Sequence, residues 1–99
     1  MRWTGKSYMM VRKKGDWLVA NVGGEFVMMS TEKVHHIGIT EVSARIWELI
    51  ETPQEVDAVC AQLLKEYAIP PEVCRTEVDA FLGELVQNGA AVLDAVPPP

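Results

Sequence analysis

The sequence predicts an α+β domain: a three- to four-stranded antiparallel sheet at the N-terminus, followed by three helices. Three observations support this. Residues 1 to 40 alternate short apolar or β-branched runs with Gly-rich and polar breaks. Residues 40 to 88 carry three apolar stripes at helical spacing, with Thr- and Pro-bearing boundaries between them. The last strand run passes straight into the first stripe at Ile39-Thr40, so the sheet is delivered onto the bundle without a linker.

In chain order, residues 1 to 6 read as a frayed start, with Trp3 a candidate cover for the edge of the core. Tyr8 to Arg12 and Trp17 to Val22 are strand candidates, joined by the turn Lys13-Lys14-Gly15-Asp16. Gly23-Gly24 breaks the chain before the run Phe26 to Met29. Ser30-Thr31-Glu32-Lys33 then suits a hairpin loop before Val34 to Ile39.

Thr40 stands where an N-cap belongs, with Glu41 near the positive end of the helix dipole. Val42, Ile46, Leu49 and Ile50 form one stripe behind it. Thr52-Pro53-Gln54-Glu55 predicts the second helix start, with Thr52 as N-cap, Pro53 at the first helical position and Glu55 closing a capping box. Its apolar face is Val56, Val59, Cys60, Leu63, Leu64 and Tyr67, and Ile69-Pro70-Pro71 ends it. Pro71 opens the third helix, whose stripe is Cys74, Val78, Phe81, Leu82 and Leu85, and Asn88-Gly89 stops it. Ala90 to Leu93 reads as a last short strand or a strap across the core. Asp94 to Pro99 reads as a Pro-rich disordered or extended tail. The whole, residues 1–99, is expected to be one domain with a winged-helix-like outline.

Composition narrows the function. The net charge is −5, and the basic residues are sparse apart from Arg12-Lys13-Lys14, which disfavours a nucleic-acid partner. No apolar run approaches the roughly 20 residues of a membrane span. No apolar segment follows Arg2 to suggest a secretory signal, so a cytoplasmic location is expected. Cys60 and Cys74 have no metal-ligand spacing and are expected to be packed thiols. Met9, Met10, Met28 and Met29 all fall on strand candidates, where most serve as core filler.

No catalytic constellation is evident. His35 and His36 are adjacent on a strand and point to opposite faces, so they cannot chelate one ion. Ser43 lies mid-helix without a nucleophile elbow. Gly23-Gly24 matches no phosphate-binding pattern. The helical carboxylates fall largely on solvated faces. No enzyme activity, metal or cofactor is expected.

The run Ile39-Thr40-Glu41-Val42-Ser43-Ala44-Arg45-Ile46-Trp47-Glu48-Leu49-Ile50 resembles the L-N-x-x-(G/A/S)-x-x-I-W-x-L-L signature of the PqqD-like family, the peptide-binding domains also called RiPP recognition elements. Val56 to Tyr67 followed by Ile69 is similar to the family's second helix. Val78-Asp79-Ala80-Phe81-Leu82-Gly83-Glu84-Leu85 with Gly89 is similar to its third. The likeness covers roughly residues 25 to 93. Where the family has Gly, Tyr and Asn in its turn and strand, this chain has Val34, His36 and Thr40, and Ala90 replaces Leu. The first three lie in the recognition strand and bear on peptide specificity more than on fold.

The resemblance implies binding of the leader segment of a ribosomally made precursor peptide. It also implies partnership with a separate tailoring enzyme such as a leader peptidase, a cyclase or a radical-SAM enzyme. An extended peptide adds as a strand to a free sheet edge, here Val34, His35, His36, Ile37 and Gly38, with the third helix as the opposite wall. Arg75, Asp79, Leu82 and Val86 share one flank of that helix and complete the expected site. Apolar leader residues are expected between Ile37 and Leu82, with Arg75 and Asp79 ordering the rim. Leu82→Glu or Ile37→Asp should then weaken binding while the domain stays folded. Alternatives are a winged-helix DNA-binding regulator and a generic interaction or dimerisation module. A free edge is also open to self-pairing, so a homodimer is compatible with the sequence.

Overall fold

The computed structural model describes residues 8–32 and 36–96. The expected frayed start, with Trp3, lies outside the described residues, as do Lys33, Val34, His35 and the last three prolines.

Four strands precede the first helix: β1 (Tyr8–Lys13), β2 (Trp17–Val22), β3 (Glu25–Ser30) and β4 (His36–Ile39). The β2–β3 hairpin turns on Gly23 and Gly24, at φ 62° and 90°. Two consecutive positive φ values make a tight turn that follows the right-handed twist of the strands, and glycine takes them without steric cost. The Asn21 side chain accepts a hydrogen bond from the Gly24 amide at 3.0 Å and closes the turn.

The expected N-terminal antiparallel sheet has three strands, and the first strand candidate lies in a second sheet. β2, β3 and β4 make a meander in that order, while β1 leaves it and becomes the centre of a second antiparallel sheet, β5-β1-β6. β6 (Ala91–Val96) pairs with β1 along its whole length, from Tyr8 opposite Val96 to Lys13 opposite Ala91. The C-terminal run is therefore a strand as far as Val96, not only to Leu93. On the other side, β5 (Gln54–Glu55) lies against Met10 and Val11.

That short pairing also alters the second helix start. Gln54 and Glu55 are drawn into the sheet, so α2 runs from Val56 to Glu66 with Glu55 as its cap residue and no side-chain cap bond. The expected capping box on Thr52 does not form. Its local advantage of about 1 kcal/mol is given up where Gln54 and Glu55 pair with Val11 and Met10.

The other boundaries follow the sequence. Thr40 caps α1 (Glu41–Leu49), its side-chain oxygen accepting from the Ser43 amide at 3.0 Å. Pro71 opens α3 (Pro71–Gln87). At the other end of α3 the Ala90 amide bonds the Leu85 carbonyl at 2.7 Å and the Gly89 amide bonds that of Val86 at 3.1 Å. With Gly89 at φ 74°, this is a Schellman stop.

One apolar core gathers residues from both sheets and all three helices. Val11, Met28, Ile37, Ile46, Trp47, Ile50, Val59, Leu63 and the α3 stripe meet there. β1 packs on α2 and β6 on α3. Met28 is fully buried, whereas Met9, Met10 and Met29 are half-buried. No polar or charged side chain is buried among the described residues, so the core needs no internal hydrogen bonds. No helix among them is long and apolar enough to cross a membrane.

Candidate functional site

β4 is an outer strand. It pairs with β3 through Met29–His36, Met28–Ile37, Val27–Gly38 and Phe26–Ile39, and no described residue pairs with its other edge. Side chains alternate along it: His36 and Gly38 are exposed, Ile37 is buried and Ile39 half-buried. Ile37 therefore packs with Met28 under the sheet, while the outer border keeps unpaired main-chain donors and acceptors.

Where β4 runs into α1, a depression opens towards α3. Thr40 and Ser43 form one side of it, and Glu77, Ala80, Phe81 and Glu84 form the other. Ala80 and Gly83 keep the α3 wall low. Gly83 is mid-helix and exposed, and a β-carbon there would meet nothing within 4 Å. Neither Glu77 nor Glu84 forms an ion pair among the described residues, so this wall is acidic.

The structure divides the expected site residues. His36 and Gly38 lie exposed on the open strand, and Val34 and His35 fall outside the described residues. Ile37 and Leu82 are core residues, 9% and 2% exposed, so a charged substitution at either would unfold the domain rather than probe a groove. Arg75 points to the other flank of α3, where its guanidinium donates to Asp57 at the head of α2 at 2.6 Å and to Asp79 at 3.1 Å. Those bonds hold the guanidinium proton more tightly than usual, Asp57 contributing most. Val86 is exposed on the same flank, and of this group only Asp79 reaches the rim of the depression.

The depression beside Thr40 is bordered by a different flank of α3 from the one that carries Arg75 and Val86. At 100° per residue, Arg75, Asp79 and Val86 lie on one side of the core stripe and Glu77, Ala80 and Glu84 on the other. Periodicity finds the stripe but treats its two flanks alike.

Cys74 is buried and Cys60 half-buried, both free, with the Cys74 sulfur 3.9 Å from the Cys60 carbonyl oxygen. Burial pushes both thiols above their ordinary range. Among the described residues no group of three or more His, Cys, Asp or Glu side chains is arranged to hold a metal ion.

Two solved structures share the fold. One is described as lasso peptide synthetase B1 complexed with the leader peptide: TM-score 0.67 and 18% identity, covering 83% of this chain and 96% of that one. The other is TbiB1 in complex with the TbiA(beta) leader peptide: TM-score 0.66 and 18% identity, covering 88% and 99%. No curated protein matches the chain. The profile of the family described as coenzyme PQQ synthesis protein D (PqqD) matches residues 25–90, from the start of β3 to the end of the α3 stop. That span is more than half of the sequence and holds the open strand and both walls of the depression, so the chain belongs to the PqqD family.

Proposed function

We propose that this protein is a RiPP recognition element: it binds the leader segment of a ribosomally synthesised precursor peptide and presents it to a separate tailoring enzyme. That enzyme is a leader peptidase, a cyclase or a radical-SAM enzyme. The observation that carries the reading is the outer edge of β4, which no described residue pairs, beside the α3 depression. An extended peptide gains main-chain hydrogen bonds along such an edge, and its alternate side chains meet the adjoining wall. Family membership supports the reading, as does the likeness in fold to two proteins solved with leader peptides.

In this reading His36 and Gly38 present the edge, the expected contacts Val34 and His35 lie outside the described residues, and Ile37 and Leu82 support the edge from beneath. Glu77, Ala80 and Glu84 form the facing wall, with Asp79 on its rim. Unpaired carboxylates on that wall favour leader residues with basic or hydroxyl heads. Arg75 and Val86 stand aside, on the flank turned to α2.

The test is calorimetric titration with the leader segment of a short precursor encoded beside this chain. Gly83→Phe and Ala80→Trp change exposed positions and should leave the domain folded, with thermal melting close to or above that of wild type. Both should weaken leader binding at least about tenfold, roughly 1.4 kcal/mol. Wild-type affinity in both variants would remove this groove from consideration.

A further inference from the structure

The two thiols of the chain meet where α2 packs on α3. Cys74 is fully buried in the first turn of α3, its sulfur 3.9 Å from the Cys60 carbonyl oxygen. Cys60 lies midway along α2 and is half-buried, so one side of it meets solvent. Both are free, and the segment 56–87 that carries them is described without a gap.

Burial pushes both thiols above their ordinary range, and a neighbour opposes that push at each. The Arg75 guanidinium, held by Asp57 at 2.6 Å and Asp79 at 3.1 Å, stands near enough to Cys60 to favour its thiolate. The Cys60 thiol does the same for Cys74 through a side-chain hydrogen bond. A thiol held above its ordinary range ionises rarely, but the thiolate it yields is the stronger nucleophile. An accessible thiol backed by a second one is the layout of an attacking and a resolving cysteine.

We infer that Cys60 is a site of reversible thiolation by small disulfides, and that Cys74 resolves the adduct into a Cys60–Cys74 disulfide. The Cys60 thiolate attacks one sulfur of the small disulfide. A bond from Cys60 forms as the S–S bond breaks, and one small thiolate leaves. The Cys74 thiolate then attacks the Cys60 sulfur from the core side and expels the second. The two protein thiols give up two electrons and two protons, and the small disulfide takes up both to end as two thiols. The Cys74 sulfur already lies against the Cys60 main chain, so the second step asks for side-chain rotation rather than unfolding. The new bond fastens the middle of α2 to the first turn of α3 and closes a loop through 67–70. It thereby steadies the helix that carries Glu77, Ala80 and Glu84.

The full chain is incubated with hydroxyethyl disulfide, without denaturant, and followed by intact mass and non-reducing peptide mapping. The expected product is a monomer lighter by two hydrogen atoms, with Cys60 joined to Cys74, formed through a transient adduct on Cys60. Its Tm should rise by about 4 °C or more, because the crosslink restricts the unfolded chain, and a dithiol reductant should restore the original value. Cys74→Ala should stop at the Cys60 adduct, and Cys60→Ala should gain none; melting curves check that each variant is folded. A lasting adduct on wild-type Cys60, a crosslink formed only in denaturant, or disulfide-linked dimers would overturn the inference. So would no reaction, or a product that melts no higher than the reduced chain. None of these readouts involves a peptide on β4, so they bear on the thiol pair alone.

Discussion

Arg45 holds Glu66 through two hydrogen bonds of 2.7 and 2.8 Å, tying α1 to the last turn of α2. The fork geometry of guanidinium on carboxylate favours the charged form of both partners. The Arg45 bond, helped by Gln62 at 2.7 Å, lowers the Glu66 carboxyl from its ordinary 4.5 to about 2. Its folded-state value lies below its unfolded one, so its stabilising contribution is full above about pH 5 and is lost as the pH falls through about 2. Glu66→Gln should therefore lower Tm most above about pH 5, the deficit shrinking between about 4.5 and about 2. A deficit of constant size across that range would contradict the pairing.

Leu82 sits in the core at 2% exposure, although the sequence reading placed it at a peptide groove. Leu82→Ala should cost about 2–5 kcal/mol, measured as a lowered urea midpoint. Leu82→Glu should be unfolded at room temperature. A Leu82→Glu chain that melts like wild type would mean that α3 is rotated from its place here.

Two glycines of the α3 segment should respond in opposite directions. Gly83 is exposed, mid-helix and free of close neighbours, so Gly83→Ala should gain about 0.4–1 kcal/mol. Gly89 holds φ 74° in the Schellman stop, so Gly89→Ala should lose about 1–2 kcal/mol. Chemical denaturation of the two variants side by side reads both signs. Matching signs would show that one of these backbone environments is wrong.

Cys74 is fully buried and its thiol is pushed up by that burial, while Cys60 is half-buried. Since the thiolate is the reactive form, native alkylation should label Cys60 first, and Cys74 only at the rate of opening. Mass spectrometry of digests from a time course checks the order. Simultaneous labelling would place Cys74 nearer the surface than it stands here.

Patterns local to the chain were legible without coordinates. Thr40 was read as a cap, the α3 stripe from Cys74 to Leu85 as core, and Asn88-Gly89 as a stop; the folded chain has each. These features depend on residues within a turn or two, so spacing and side-chain type suffice to define them. The strand pairing was different. Tyr8 to Arg12 reads as another strand of the N-terminal sheet, and nothing near it in sequence indicates that its partner lies about eighty residues away at Ala91 to Val96.

By itself, then, the sequence determined the α+β class, the order of elements, the apolar stripes and the family likeness. Tertiary structure decided that β1 would leave the meander, that β5 would displace a capping box, and which flank of α3 would face Thr40. The physical reason is that a helical stripe or a cap is defined by neighbours along one chain. Strand partners and helix rotation depend on which arrangement buries Val11, Met28, Ile37 and Leu82 together. The outer position of β4, which no described residue pairs on its far side, follows from that choice.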